Sequence, residues 1–140
     1  MHPFRQAVEE RDEAAIQALL ADDVVFTSPV AFKPYVGKPI TAAILRGVMR
    51  IFEDFRYVRE IADPGGRDHA LVFETGISGF PGAKVNGCDF VHLNDDGLID
   101  EFMVMVRPLS GATALSEAMG AQFDRIQQEA VELAGQFATA

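Results

Sequence analysis

The chain has 140 residues, one cysteine and a formal net charge of −9 from 12 Lys and Arg against 21 Asp and Glu. At 49 % hydrophobic and 24 % charged it has the make-up of a single folded domain, which excludes disorder, and its length buries a core without disulfide or metal. The acidic balance opposes a nucleic-acid or anionic-membrane partner, and a lone Cys88 excludes an internal disulfide or a multi-thiolate zinc site.

No apolar run is long enough to span a membrane, and the start, Met1-His2-Pro3-Phe4, lacks a secretory apolar core, so a cytoplasmic protein is expected. Pro3 suits a first helical turn, with Phe4, Ala7 and Val8 on one face. Arg11-Asp12 reads as a break, and Asp12 caps a second short helix through Ile16, Leu19 and Leu20 that ends at Asp22-Asp23. Val24–Ser28 then reads as a short strand. Pro29, Pro34, Gly37 and Pro39 mark a loop. A helix face follows at Ile44, Leu45, Val48, Ile51 and Phe52, closed by Glu53-Asp54.

From there the period is two. Four strands are expected, Phe55–Asp63, Asp68–Ser78, Lys84–Leu93 and Leu98–Arg107. Their links are Pro64-Gly65-Gly66, Pro81-Gly82 and Asn94-Asp95-Asp96-Gly97, short enough for an antiparallel meander. After Pro108 a single long helix is predicted over 110–138, on the stripe Leu115, Met119, Phe123, Ile126, Ala130, Leu133, Phe137, docked over the barrel mouth or across to a partner. This order is an α+β domain spanning 1–140.

Alternation singles out one residue. Val85, Gly87, Val91 and Leu93 share a strand face with Asp89, while Asn86, Cys88, Phe90 and His92 take the other. A carboxylate in an apolar row needs a partner or a raised pKa. It is either a structural group tied to a backbone N–H or to Arg107, or the polar point of a pocket. The last strand is apolar on both faces, Phe102, Val104 and Val106 on one and Met103 and Met105 on the other, so something covers both. A second copy of the chain meeting Met103, Met105, Phe90 and Cys88 would do so, and so would the C-terminal helix folding back. His2, His69 and His92 lie on different elements and read as surface or interface residues; with Cys88 they never fall at chelating intervals, so no metal and no cofactor is expected.

Leu19-Leu20-Ala21-Asp22-Asp23-Val24-Val25-Phe26-Thr27-Ser28-Pro29, Tyr35-Val36-Gly37-Lys38 and Asn94-Asp95-Asp96-Gly97-Leu98-Ile99-Asp100-Glu101, with Val106-Arg107-Pro108, resemble the nuclear transport factor 2-like superfamily and its SnoaL-like branch. The resemblance covers residues 3 to about 110. It implies a cone-shaped barrel over 1–109, a bent antiparallel or mixed sheet around N-terminal helices with a pocket between them. The fold hosts isomerases, hydrolases, cyclases and non-enzymes. Ketosteroid isomerases of this group use an aspartate base and a tyrosine–protonated aspartate pair at the oxyanion. The matching places here are Ser28, Phe4 and Asp89, so the resemblance retains one of the three and argues against that reaction. Epoxide hydrolases of the superfamily use an Asp-Arg-Asp trio, of which Asp89 supplies one member; Phe102, Val104 and Val106 supply none. The expected ligand wall is Phe4, Phe26, Ser28, Phe52, Phe55, Phe73, Phe102 and Val104, with Asp89 as the catalytic candidate for a small apolar, cyclic molecule. Three roles stay open: acid–base enzyme, non-catalytic binding protein, or structural dimeric module.

Overall fold

A computed structural model describes residues 1–139. The elements run α1 (Pro3–Glu9), α2 (Glu13–Ala18), β1 (Leu20–Thr27), β2 (Tyr35–Val36), α3 (Lys38–Ile51), β3 (Phe52–Ala62), β4 (Asp68–Ile77), β5 (Phe80–Leu93), β6 (Ile99–Arg107), α4 (Leu109–Ala121) and α5 (Phe123–Thr139). Six strands form one sheet in the order β2-β1-β6-β5-β4-β3. The β3-to-β6 run is the expected meander, but β1 lies parallel to β6. The sheet stays open, and helices cover its inner face to complete the cone, as expected for an α+β domain.

Several boundaries differ from the sequence reading. The Asp22-Asp23 pair does not stop a helix; α2 ends at Ala18, and both aspartates sit exposed within β1. Glu53-Asp54 does not close α3, which ends at Ile51; Ser78 N–H donates to the Ile51 carbonyl at 2.7 Å and draws the chain into the sheet. Asp54 takes a φ of +54°, and the β3–β4 register shifts there. The β4–β5 turn falls at Ser78-Gly79 rather than Pro81-Gly82, and β5 begins at Phe80. The two-residue β2 was not foreseen, being too short to carry a period.

The C-terminal stripe forms two helices, not one. Gln122 leaves helical geometry between α4 and α5, at φ −115° and ψ 11°. Its side-chain amide donates to the Gly47 carbonyl at 2.8 Å and accepts from Arg50 Nε at 2.8 Å, so polar bonds to α3 hold the corner. α4 packs on β5 and β6, whereas α5 lies on α3. A Cβ at Gly47 would stand 2.7 Å from Ile126 Cδ1, so Gly47 is what lets α5 reach the α3 backbone. Arg46 and Arg50 of α3 both bind Glu129 of α5, and Arg46 also binds Glu13 of α2.

Candidate active site

Inner-face side chains meet row by row across the sheet. Tyr57, Phe73, Gly87 and Val106 stand opposite one another, and the next inward row is Glu60, Leu71, Asp89 and Val104. A Cβ at Gly87 would lie 2.1 Å from Phe73 Cζ, so only glycine lets that ring lie flat against β5. Phe73 in turn packs on Phe55 at 5.0 Å, and Phe52 stacks on Phe55 at 5.6 Å. From the other side Phe4 meets Phe102 edge-on at 5.1 Å, and Phe102 lies 5.5 Å from Phe26.

These rings enclose a cavity of about 170 Å³ between the sheet and α1, α3 and α4. All nine residues of the expected ligand wall line it: Phe4, Phe26, Ser28, Phe52, Phe55, Phe73, Asp89, Phe102 and Val104. The volume is slightly above the ~150 Å³ of an apolar cavity that holds benzene, so a substituted single ring fits. Its exposed lining residues, Glu9, Arg11 and Val30, mark the mouth. Ser28 Oγ is already engaged, accepting from the Val30 N–H at 3.1 Å.

Asp89 is 6 % exposed and sits at the deep end of this cavity. Arg107 is not its partner: that side chain points to the outer face and donates to Asn86 Oδ1 at 2.9 Å. The partner is Tyr57, whose hydroxyl donates to Asp89 Oδ2 at 2.8 Å. Burial pushes the Asp89 carboxyl up to about 7, against a smaller downward pull from the Tyr57 hydroxyl. Burial, and then the Asp89 charge, push the Tyr57 phenol well above its ordinary value, so it stays a donor at neutral pH. One carboxyl oxygen is thus committed to Tyr57, and the other is free to hold or release a proton. Tyr57 was missed because β3 is exposed at most of its positions and shows no clean alternation; a register shift beside Tyr57 breaks the period there.

Replacing Tyr57 by Phe removes the one bond that favours ionised Asp89. A hydrogen bond to a charged acceptor is worth about 1.5–3 kcal/mol, so the Asp89 titration should move up by about one pH unit or more. Carbon-detected NMR of the Asp89 carboxyl checks this; an unchanged or lower midpoint would show that Tyr57 does not poise it.

The histidines part company. His2 is buried, contrary to the surface reading: its Nδ1 accepts from the Phe4 N–H at 3.0 Å, capping α1, and its ring meets His69 edge-on at 4.4 Å. Desolvation lowers its pKa. On the outer face His92 Nδ1 lies 2.7 Å from Asp100 Oδ1, which raises its pKa. Donor atoms of His92, Asp100 and Glu101 lie within 4.8 Å of one another, a grouping across β5 and β6 that spacing along the chain did not disclose. Phe90, Met103 and Met105 are 38, 36 and 55 % exposed on that face, and among the described residues no helix folds back over it.

Among curated proteins no relative matches this chain. Among solved structures it is similar to a steroid delta-isomerase from Pseudomonas aeruginosa, at 38 % identity and TM-score 0.80 over 89 % of each chain. It is also similar to an uncharacterised protein with a cystatin-like fold from Silicibacter pomeroyi DSS-3, at 37 % identity and TM-score 0.77, over 86 % of this chain and 82 % of that one. A nuclear transport factor 2-like protein from Burkholderia xenovorans LB400 shares the fold at 16 % identity and TM-score 0.63, over 80 % of this chain and 89 % of that one. The SnoaL-like domain family matches residues 2–102, all of the cone except the end of its last strand. With this match over residues 2–102, the chain belongs to the SnoaL-like domain family, and its open six-stranded cone is the nuclear transport factor 2-like fold.

Proposed function

We propose that the protein is an acid–base enzyme acting on a small, largely apolar ring compound, with Asp89 exchanging a proton with the ligand. The observation that carries this is a carboxyl buried in an apolar cavity, bonded to one tyrosine and poised near neutrality. Such a group is available as acid and as base at working pH, and general acid–base catalysis contributes about 10²–10⁴-fold. The similarity to a steroid delta-isomerase supports a proton-transfer chemistry. Ser28 and Phe4, where the resemblance sets a base and a tyrosine, separate this site from the steroid reaction. The test is exchange: cyclic ketones incubated with the protein in heavy water should gain deuterium beside the carbonyl, and Asp89→Asn should abolish the gain. Exchange that persists in the variant overturns the assignment.

A second reading, a binding protein with the same pocket, is favoured by one feature: among the described residues the cavity lining holds one buried carboxylate, Asp89, and its other carboxylate, Glu9, is exposed and paired with Arg5. Mass spectrometry of what co-purifies separates the two, because a binding protein retains its ligand unchanged.

We also propose that the outer sheet face pairs with a second copy. Across it run Arg59, Val72, Cys88 and Met105, and then Ile61, Ala70, Phe90, Met103 and Thr27, flanked by the polar row Arg56, Glu74, Asn86 and Arg107. An isologous contact would bury this apolar band twice over. Met105→Lys should place two like charges near the symmetry axis and give monomers or aggregates. Light scattering at micromolar concentration checks it, and a wild-type mass of one chain would defeat the pairing.

A further inference from the structure

Arg11 is the only cation lining the cavity among the described residues, and its backbone is unusual. Its φ is +54°, a left-handed conformation that side-chain-bearing residues adopt at a steric cost which glycine escapes. Here α1 stops: Arg11 N–H donates to the Val8 carbonyl at 3.0 Å and Asp12 N–H to the Ala7 carbonyl at 2.9 Å. Glycine is the common residue at such a helix end, so an arginine here retains strain that the fold does not need. Strained backbone gathers at ligand sites, where a side chain is held in place for another purpose.

The side chain has no counter-charge. Its guanidinium donates to the Met49 carbonyl at 3.2 Å and makes no ion pair among the described residues. The neighbouring cations differ: Arg46 and Arg50 are bound by Glu129, and Arg46 also by Glu13. Glu9, the other charged group at the mouth, is bound by Arg5 Nε at 2.8 Å, so its charge is already balanced. The cavity lining therefore holds the Asp89–Tyr57 pair, a majority of apolar side chains and, among its solvent-exposed members, one cation without an ion-pair partner among the described residues.

We propose that the ligand is two-ended: a ring seated beneath the phenylalanines with an oxygen at Asp89, and a carboxylate-class anion held at the mouth by Arg11. This rests on the reading of the cavity as a ligand site and adds the chemical class of what enters it. The cavity volume of about 170 Å³ limits the body to one ring with a short chain leading out.

Calorimetry with phenylalkanoates of increasing chain length, each paired with its neutral primary amide, tests this on the wild type, Arg11→Gly and Arg11→Lys. At one chain length the carboxylate should bind the wild type about tenfold tighter than its amide, as a charge-assisted pair implies. That preference should vanish in Arg11→Gly, persist in part in Arg11→Lys, and shrink with added salt, while amide affinity stays constant. Arg11→Gly should melt at or above the wild-type temperature, since glycine relieves the backbone. Equal binding of carboxylate and amide, or a preference surviving in Arg11→Gly, overturns the Arg11 assignment alone. Failure of every amide to bind overturns the cavity reading and this proposal with it.

Discussion

Asp89→Asn should keep the fold, lower turnover by about 10²–10⁴-fold, and flatten the dependence of stability on pH. The native carboxyl titrates near 7, against 3.8 for an ordinary aspartate, so between those values the folded chain holds a proton that the unfolded chain releases. Stability contributed by this group is therefore complete below about pH 4 and is lost as pH rises through 7. The whole loss is on the order of 4 kcal/mol, from about three pH units at ~1.4 kcal/mol each. Asparagine cannot ionise, yet its amide oxygen can still accept from the Tyr57 hydroxyl. The variant should thus be more stable than the wild type at pH 8 and close to it at pH 4. Denaturant melts of both proteins at each pH check the sign, and taking their difference cancels the opposite trend of His2. Parallel pH curves would mean that Asp89 is not the buried proton holder the cavity suggests.

Leu133→Ala should strongly destabilise the protein through the C-terminal helix. Leu133 is 1 % exposed and Ile126 is fully buried where α5 meets α3, and Gly47 lets the contact close. Deleting a buried leucine to alanine costs about 2–5 kcal/mol, because the hole cannot fully collapse. At about 2–4 °C per kcal/mol that is a fall in melting temperature of roughly 5–20 °C. Removing everything after Gly120 should be worse, since it uncovers the α3 face and leaves Arg46 and Arg50 without Glu129. A truncated chain as soluble and stable as the whole would show that α5 is dispensable.

The order of the elements apart from β2 and the split C-terminal helix, the β3-to-β6 meander, and the polar intruder Asp89 among Val85, Gly87, Val91 and Leu93 were legible in the chain. Period and turn chemistry are local, and a strand's parity assigns its faces without knowledge of its neighbours. Part of the cavity lining was readable for the same reason: Phe4, Phe26, Phe73 and Phe102 fall on inward positions whose faces the spacing defines, whereas Phe52 and Phe55 lie on β3, where a register shift breaks the period. Tyr57 as the partner of Asp89 was not, because β3 and β5 meet only through β4, and a register shift beside Tyr57 breaks the alternation that would have aimed it inward. The C-terminal stripe was correct in its residues and wrong in its continuity. Ile126 and Leu133 bury as expected, but the corner at Gln122 exists only because Gly47 and Arg50 of α3 supply its hydrogen bonds. Arg11 shows the same limit, since nothing in Arg11-Asp12 beyond a helix break discloses a left-handed backbone or a guanidinium at a cavity mouth. Faces follow from the period of the chain itself; partners, corners and strain depend on which distant segment arrives to satisfy a polar group or fill a space.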